Sequence, residues 1–185
     1  MTNSNSSGFV NNYKTVSVVV PVYNEKEVLP EFHKRLSAVL DSLGLEAEIL
    51  YVNDGSIDAT LQVIHELGSK DPRAALLDLS RNFGKEAALT AGLDYAAGDA
   101  VVVIDADLQD PPELIPELLK YLNGGYDVVY AKRSSRKGET FLKKATAAGF
   151  YRFMRQFGRT ALPQNTGDYR ILSRRAVEAL KSLRE

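Results

Sequence analysis

Val101-Val-Val-Ile104, a run of β-branched apolar residues that stops abruptly at acid, constrains this fold more than any other stretch. A run apolar at every position reads as a strand buried on both faces, as inside a parallel sheet. Asp105 and Asp107 follow two apart, so in extended backbone their carboxylates point to the same side. The carboxyl ends of strands are where open α/β sheets bind their ligands. Two carboxylates on one face repel each other unless a cation lies between them. Hard oxygen ligands suit Mg²⁺ or Mn²⁺, with water and substrate phosphates completing the shell. The next four residues, Asp110-Pro-Pro-Glu113, read instead as helix-start chemistry: an N-cap Asp, Pro at the first helical position and Glu at N3.

Around that strand the chain alternates. Residues 16–21, 48–52, 74–79 and 126–130 read as further strands. Helical periodicity predicts helices over 26–43, stopped by Gly44, over 59–67, capped by Asp58, and over 86–97 and 112–122. Such alternation predicts an α/β fold, a doubly wound and mostly parallel sheet flanked by helices. In that topology successive strand ends form one rim. It gathers Asn24 and Glu25, Asp54 and Ser56, Arg81 and Lys85, and Asp105 and Asp107. His33 and His65 fall in helical patterns away from the rim and read as surface residues, so no histidine mechanism is expected. A Walker A sequence is absent, and no Gly-x-Gly-x-x-Gly follows the first strand, which argues against a dinucleotide-binding domain.

Composition removes other classes. The chain has no cysteine, so disulfides, thiolate metal sites and thiol nucleophiles are excluded. No apolar run nears the roughly 20 residues of a membrane-spanning helix. Residues 1–13, rich in Asn and Ser and without a signal pattern, are expected to be a disordered tail on a cytoplasmic protein. The net charge of −1 conceals an asymmetry: residues 1–131 carry 9 Lys/Arg against 20 Asp/Glu, and residues 132–185 carry 14 against 4. Either the basic part faces an anionic partner or the two parts attract each other. A nucleic-acid partner is not expected.

The rim sequences Val20-Pro-Val-Tyr-Asn-Glu25, Val52-Asn-Asp-Gly-Ser-x-Asp58, Ser80-Arg-Asn-Phe-Gly-Lys85 and Asp105-Ala-Asp-Leu-Gln-Asp-Pro-Pro-Glu113 resemble the family 2 glycosyltransferases of GT-A fold. More closely they resemble the polyprenyl-phosphate glycosyltransferases, the group that includes dolichyl-phosphate mannose synthase. Asn165-Thr-Gly-Asp-Tyr-Arg-Ile-Leu-Ser173 is similar to that group's late motif. The resemblance implies one GT-A catalytic domain over residues 14–185, with a basic acceptor- and membrane-facing part over 132–185.

It also implies roles. Pro21, Tyr23, Asn24 and Glu25 would line a nucleoside pocket with Asp54 and Ser56, and Gly55 would admit close backbone approach. Asp105, Asp107 and Gln109 would hold the ion that carries the donor diphosphate, while Arg81 and Lys85 would neutralise phosphate. Arg133 and Arg170 would hold the acceptor phosphate, with Asp168 orienting Arg170 or the acceptor, or simply ion-paired to Arg170. The implied reaction moves a sugar from a nucleotide diphosphate, a UDP-sugar ahead of GDP-mannose, to a polyprenyl phosphate with inversion. It would take place at the inner face of the cell membrane.

Many bacterial members of the group continue into transmembrane helices where this chain stops, which implies a shortened chain or a soluble form. The rivals are a nucleotide-sugar-binding module without turnover, a transferase with a non-lipid acceptor, and phosphoryl transfer through an aspartyl phosphate. Within residues 132–159, Phe150, Phe153, Met154 and Phe157 fall on one helical face among nine Lys/Arg. That pattern predicts an interfacial helix on an anionic membrane surface. The sequence does not indicate an oligomeric state.

Overall fold

The computed structural model describes residues 12–132 and 166–183. The expected tail therefore lies almost wholly outside the described residues, as do Arg133 and the aromatic face around Phe153. The chain divides into two compact units, Met1–Tyr130 with Asp168–Glu185, and Ala131–Gly167. The site described below belongs to the first unit.

At the centre is β1 (Thr15–Val22), which pairs in parallel with β2 (Glu46–Asn53) on one side and β4 (Ala100–Val103) on the other. β3 (Ala74–Asp78) continues the parallel set beyond β2. β6 (Thr166–Ser173) runs antiparallel beside β4, and β5 (Val128–Lys132) completes the order β3-β2-β1-β4-β6-β5. The sheet is thus α/β and mostly parallel, as alternation predicts. Every residue of β4 is buried, as a strand covered on both faces requires.

Five α-helices accompany the sheet among the described residues: α1 (Leu29–Leu43), α2 (Thr60–Lys70), α3 (Lys85–Tyr95), α4 (Ile115–Asn123) and α5 (Arg174–Ser182). Successive strand residues face opposite layers. One set, Val19, Leu50, Val52, Val101, Val103 and Leu172, packs with Ala88, Leu89 and Leu93 of α3 and Val177 of α5. Gly92 lets α3 lie directly on β1, because a Cβ there would come within 2.3 Å of Val19 Cγ1. The alternate face is covered by α1, whose His33 Nδ1 lies 2.9 Å from the Tyr51 hydroxyl of β2.

Four local expectations are corrected. His33 is buried, 8% exposed, rather than a surface residue, because it stands on the same helical stripe as Leu29 and Leu36. α1 starts at Leu29, since residues 26–28 turn first, with the Glu25 carbonyl accepting from Val28 and Leu29 N–H at 3.2 and 3.1 Å. The Glu113 carboxylate, expected to cap, is taken up by Arg35. A 3-10 turn over Pro112–Leu114 has Pro111 at its N-cap and no side-chain cap bond, and Glu113 accepts both Arg35 Nε (2.9 Å) and Nη2 (2.7 Å). Finally, β5 begins at Val128, two residues later than its apolar pattern suggests.

Candidate active site

The carboxyl ends of β1, β2, β3 and β4 lie on one edge, and their loops are tied to one another by side chains of the loops themselves. Asn24 has φ +58, and its Oδ1 accepts Ile57 N–H at 2.9 Å while its own N–H donates to Ser56 Oγ at 3.0 Å. Ser56 Oγ in turn donates to Asn53 Oδ1 at 2.6 Å, and Asn53 Nδ2 donates to Asp78 Oδ1 at 2.7 Å. Glu25 N–H donates to Thr60 Oγ1 at 2.8 Å. The loops after β1, β2 and β3 therefore hold one another in register.

Asp54 is the strongest of these ties. It is 3% exposed, and its two oxygens accept the N–H groups of Phe83 (2.8 Å) and Gly84 (3.0 Å) in the loop before α3. Gly55, at φ +66, makes the contact possible, because a Cβ there would fall 2.4 Å from the Arg81 carbonyl carbon. The close approach expected at Gly55 is thus made by the chain's own backbone.

These loops enclose a cavity of about 280 Å³. Pro21, Tyr23 and Glu25 line it from β1 and its loop, and Asp54 from the end of β2. Asn82, Gly84 and Lys85 line it from the loop before α3, and Asp105 and Asp107 from beyond β4. Of the residues expected at the rim, Asn24, Gly55 and Ser56 are outside the lining and join the loops to one another. Arg81 is exposed and stacks its guanidinium over Phe83, 4.4 Å from the ring centroid.

The charges within the cavity are arranged unevenly. Burial and the neighbouring Asp107 and Asp105 raise the Glu25 carboxyl above its ordinary value. Lys85 Nζ donates to Asp105 Oδ2 at 2.7 Å and to Asp168 Oδ2 at 2.6 Å. Burial alone would lower its pKa, but these two carboxylates more than offset that and raise it. Asp168 therefore pairs with Lys85 rather than with Arg170. Arg170 sits opposite Val103 in the sheet, and its buried Nε makes no hydrogen bond among the described residues.

Asp107 Oδ1 accepts the N–H of Gln109 at 2.9 Å, closing a turn around Leu108, which is forced to φ +61. Among the described residues Asn24 and Leu108 are the only non-glycine residues at positive φ, and both flank this cavity. Gln109 is exposed and outside the lining. Two carboxylates on one cavity suit a hard divalent ion that draws its remaining oxygens from water and ligand. Among the described residues no group of three or more His, Cys, Asp or Glu side chains is arranged to hold a metal.

Sequence reading missed Asn53, Thr60 and Asn82 as site-building residues, although the first and last stand inside motifs it singled out. The Lys85–Asp168 contact spans 83 residues and has no local signal.

The profile of the family described as Glycosyl transferase family 2 matches residues 17–181. The uncharacterized glycosyltransferase YkcC of Bacillus subtilis is 51% identical over 169 residues, 91% of this chain and 52% of that protein. The bactoprenol glucosyl transferase of Shigella phage SfV is 46% identical over 170 residues, 92% of this chain and 55% of that protein. This chain spans about half the length of these relatives. Among solved structures, glucosyl-3-phosphoglycerate synthase from Mycobacterium tuberculosis with Mn²⁺, UDP-glucose and phosphoglyceric acid superposes with TM-score 0.64 at 25% identity. That match covers 88% of this chain and 57% of that one. The mannosyltransferase PcManGT from Pyrobaculum calidifontis, at TM-score 0.65 and 22% identity over 92% of this chain and 47% of its own, shares the fold.

Proposed function

This chain belongs to glycosyl transferase family 2, and from that premise we propose that it transfers a sugar from a nucleotide diphosphate sugar to a polyprenyl phosphate, inverting the anomeric carbon. The observation that carries this reading is the convergence of Tyr23, Glu25, Asp54, Lys85, Asp105 and Asp107 on one cavity at the carboxyl edge of the sheet. Support for the lipid acceptor comes from relatives named bactoprenol glucosyl transferases. Support for a UDP-sugar and a divalent ion comes from the fold neighbour solved with UDP-glucose and Mn²⁺.

In this reading Pro21, Tyr23 and Glu25 hold the nucleoside, beside the loop that Asp54 fixes. Asp105 and Asp107, with Gln109 in reach by sequence, hold Mg²⁺ or Mn²⁺, which when bound supplies charge neutralisation to the leaving diphosphate. Lys85 and Arg81 add cationic charge for the same phosphates. An acceptor phosphate oxygen attacks the anomeric carbon opposite the diphosphate. The bond from that carbon to the diphosphate oxygen breaks, and the nucleoside diphosphate leaves with the electron pair. The nucleophile is already an anion, so no histidine base is needed. Arg170 and Arg133 would position it, since guanidinium groups grip phosphate oxygens in pairs.

Residues 14–185 would act as one catalytic domain, with the basic part over 132–185 facing an anionic membrane on its cytoplasmic side. Among the described residues no helix is long and apolar enough to cross a membrane. The test is transfer of radiolabelled sugar from UDP- and GDP-sugars with Mn²⁺. Label entering a polyprenyl phosphate supports the reading; label entering only 3-phosphoglycerate supports the second reading, a non-lipid acceptor, which the phosphoglyceric acid in the fold neighbour favours. Nucleotide binding without label transfer would leave a binding module. Co-sedimentation with anionic but not neutral liposomes at low salt tests the membrane surface.

A further inference from the structure

We propose that Lys85 is a resident counter-ion: its ammonium bridges Asp105 and Asp168 until a divalent ion and a nucleoside diphosphate displace it, and it then turns to the diphosphate, freeing Asp168. The inference rests on the proposed donor and ion, and it concerns what this chain does before they arrive.

The bridge is built by the sheet. Val103 lies opposite Arg170 in the antiparallel β4–β6 ladder, so continuing that register brings Asp105 beside Asp168 as the two strands leave it. Two neighbouring carboxylates repel each other and draw a cation. Lys85 supplies it at 2.7 and 2.6 Å, the short distances of charge-assisted bonds. Lysine is a poor choice here on local grounds, because a cation at the first position of α3 opposes the positive end of the helix dipole. The two carboxylates account for its presence.

Its base is fixed, while the stem that carries the bridging ammonium can turn. Asp54 holds Phe83 and Gly84 immediately before it, and Gly92 seats α3 on β1. The lysine side chain is itself 40% exposed on a flexible four-carbon stem. A divalent ion on Asp105 and Asp107 would face an ammonium on the same Asp105 carboxylate and repel it. An arriving diphosphate would attract it. Lys85 therefore opposes binding of the ion alone and favours binding of the ion with its nucleotide, which couples the two ligands through one side chain.

The experiment is Mn²⁺ binding measured by electron paramagnetic resonance, with and without UDP, on this chain and its Lys85→Met and Lys85→Arg variants. Without UDP, Lys85→Met should bind Mn²⁺ about tenfold more tightly, and UDP should lose about tenfold of its enhancement of that binding. Lys85→Arg, which keeps the charge, should restore weak nucleotide-free binding. Adding Asp168→Asn to Lys85→Met should reverse part of the gain, and a gain left intact would remove Asp168 from the bridge. Nucleotide-free Mn²⁺ binding that is unchanged, weaker or absent in a folded Lys85→Met, with Lys85→Gln as the second neutral variant, overturns the proposal. Failure of UDP to bind at all would instead overturn the donor reading, and the nucleotide-free arm would still decide the role of Lys85.

Discussion

Asp54 Oδ2 accepts the N–H of Gly84 at 3.0 Å, so a buried residue that lines the cavity is also the latch of the loop that carries Lys85. With Phe83 N–H on its other oxygen, the buried carboxylate makes two hydrogen bonds. Bonds to a charged group contribute about 1.5–3 kcal/mol each, so Asp54→Ala should lower unfolding free energy by about 3 kcal/mol, read by urea denaturation. It should also weaken both free uridine and UDP, because pocket and loop move together. Loss confined to acceptor kinetics would show that the pocket is placed wrongly.

Gly55→Ala should injure the same latch from the other side. Its φ of +66 disfavours a side chain, and the new Cβ would meet the Arg81 and Asn82 backbone at 2.4–2.8 Å. A residue strained in this way costs about 1–3 kcal/mol, and backbone cannot yield as a side-chain tip can. A lower melting temperature with weaker UDP binding is expected. An unchanged melting temperature would mean that the two loops are not in contact in solution.

Stability should fall in two steps as pH drops. Burial lowers the His33 pKa below 6.5, outweighing the opposing pull of Asp71. The unfolded chain therefore takes up that proton first, and stability present above about pH 6.5 is lost as pH falls towards the folded value. Asp71 is held down to about 2, chiefly by hydrogen bonds from Arg73, so its contribution is present above 3.8 and is lost as pH falls towards 2. That second step should be about 2 kcal/mol. His33→Gln should abolish only the first step in urea melts from pH 2 to 8. A pH 5–7 slope retained in that variant would assign it to another group.

The legible parts were those written in local pattern. Val101 to Ile104 shows burial on both faces by composition alone, and the repeated strand-helix alternation carries the mostly parallel sheet and the shared rim. β6 was not legible: Asp168 and Arg170 interrupt its apolar residues, and its partners in β4 lie about 70 residues away. Glu113 looked like a capping residue because the motif is local, whereas Arg35, 78 residues distant, binds it. His33 is polar yet buried, and Leu29 and Leu36 on the same helical stripe are its only local mark. At the site, the positions of Asp54 and Ser56 just after a strand mark them as rim residues. Their hydrogen bonds to other loops depend on backbone approach, which Gly55 alone hinted at.

Donor binding should depend on a divalent ion through Asp107, and the turn around Leu108 allows that to be separated from folding. Asp107 Oδ1 accepts Gln109 N–H and so holds Leu108 at φ +61, a conformation that costs a non-glycine residue about 1–2 kcal/mol. Asp107→Ala removes both the ligand and the turn, and a loss of UDP binding in it would be ambiguous. Asp107→Asn keeps a side-chain oxygen for Gln109 and removes only the charge. Its melting temperature should therefore match that of the unsubstituted chain. UDP binding in Mn²⁺ should nevertheless fall by at least about tenfold, since a neutral amide is a poor substitute for carboxylate on a hard cation. In EDTA the two proteins should bind UDP equally weakly. Calorimetry in which the unsubstituted chain binds UDP equally with EDTA and with Mn²⁺ would remove the ion from the site, and an Asn variant that binds normally in Mn²⁺ would remove Asp107 from the ion.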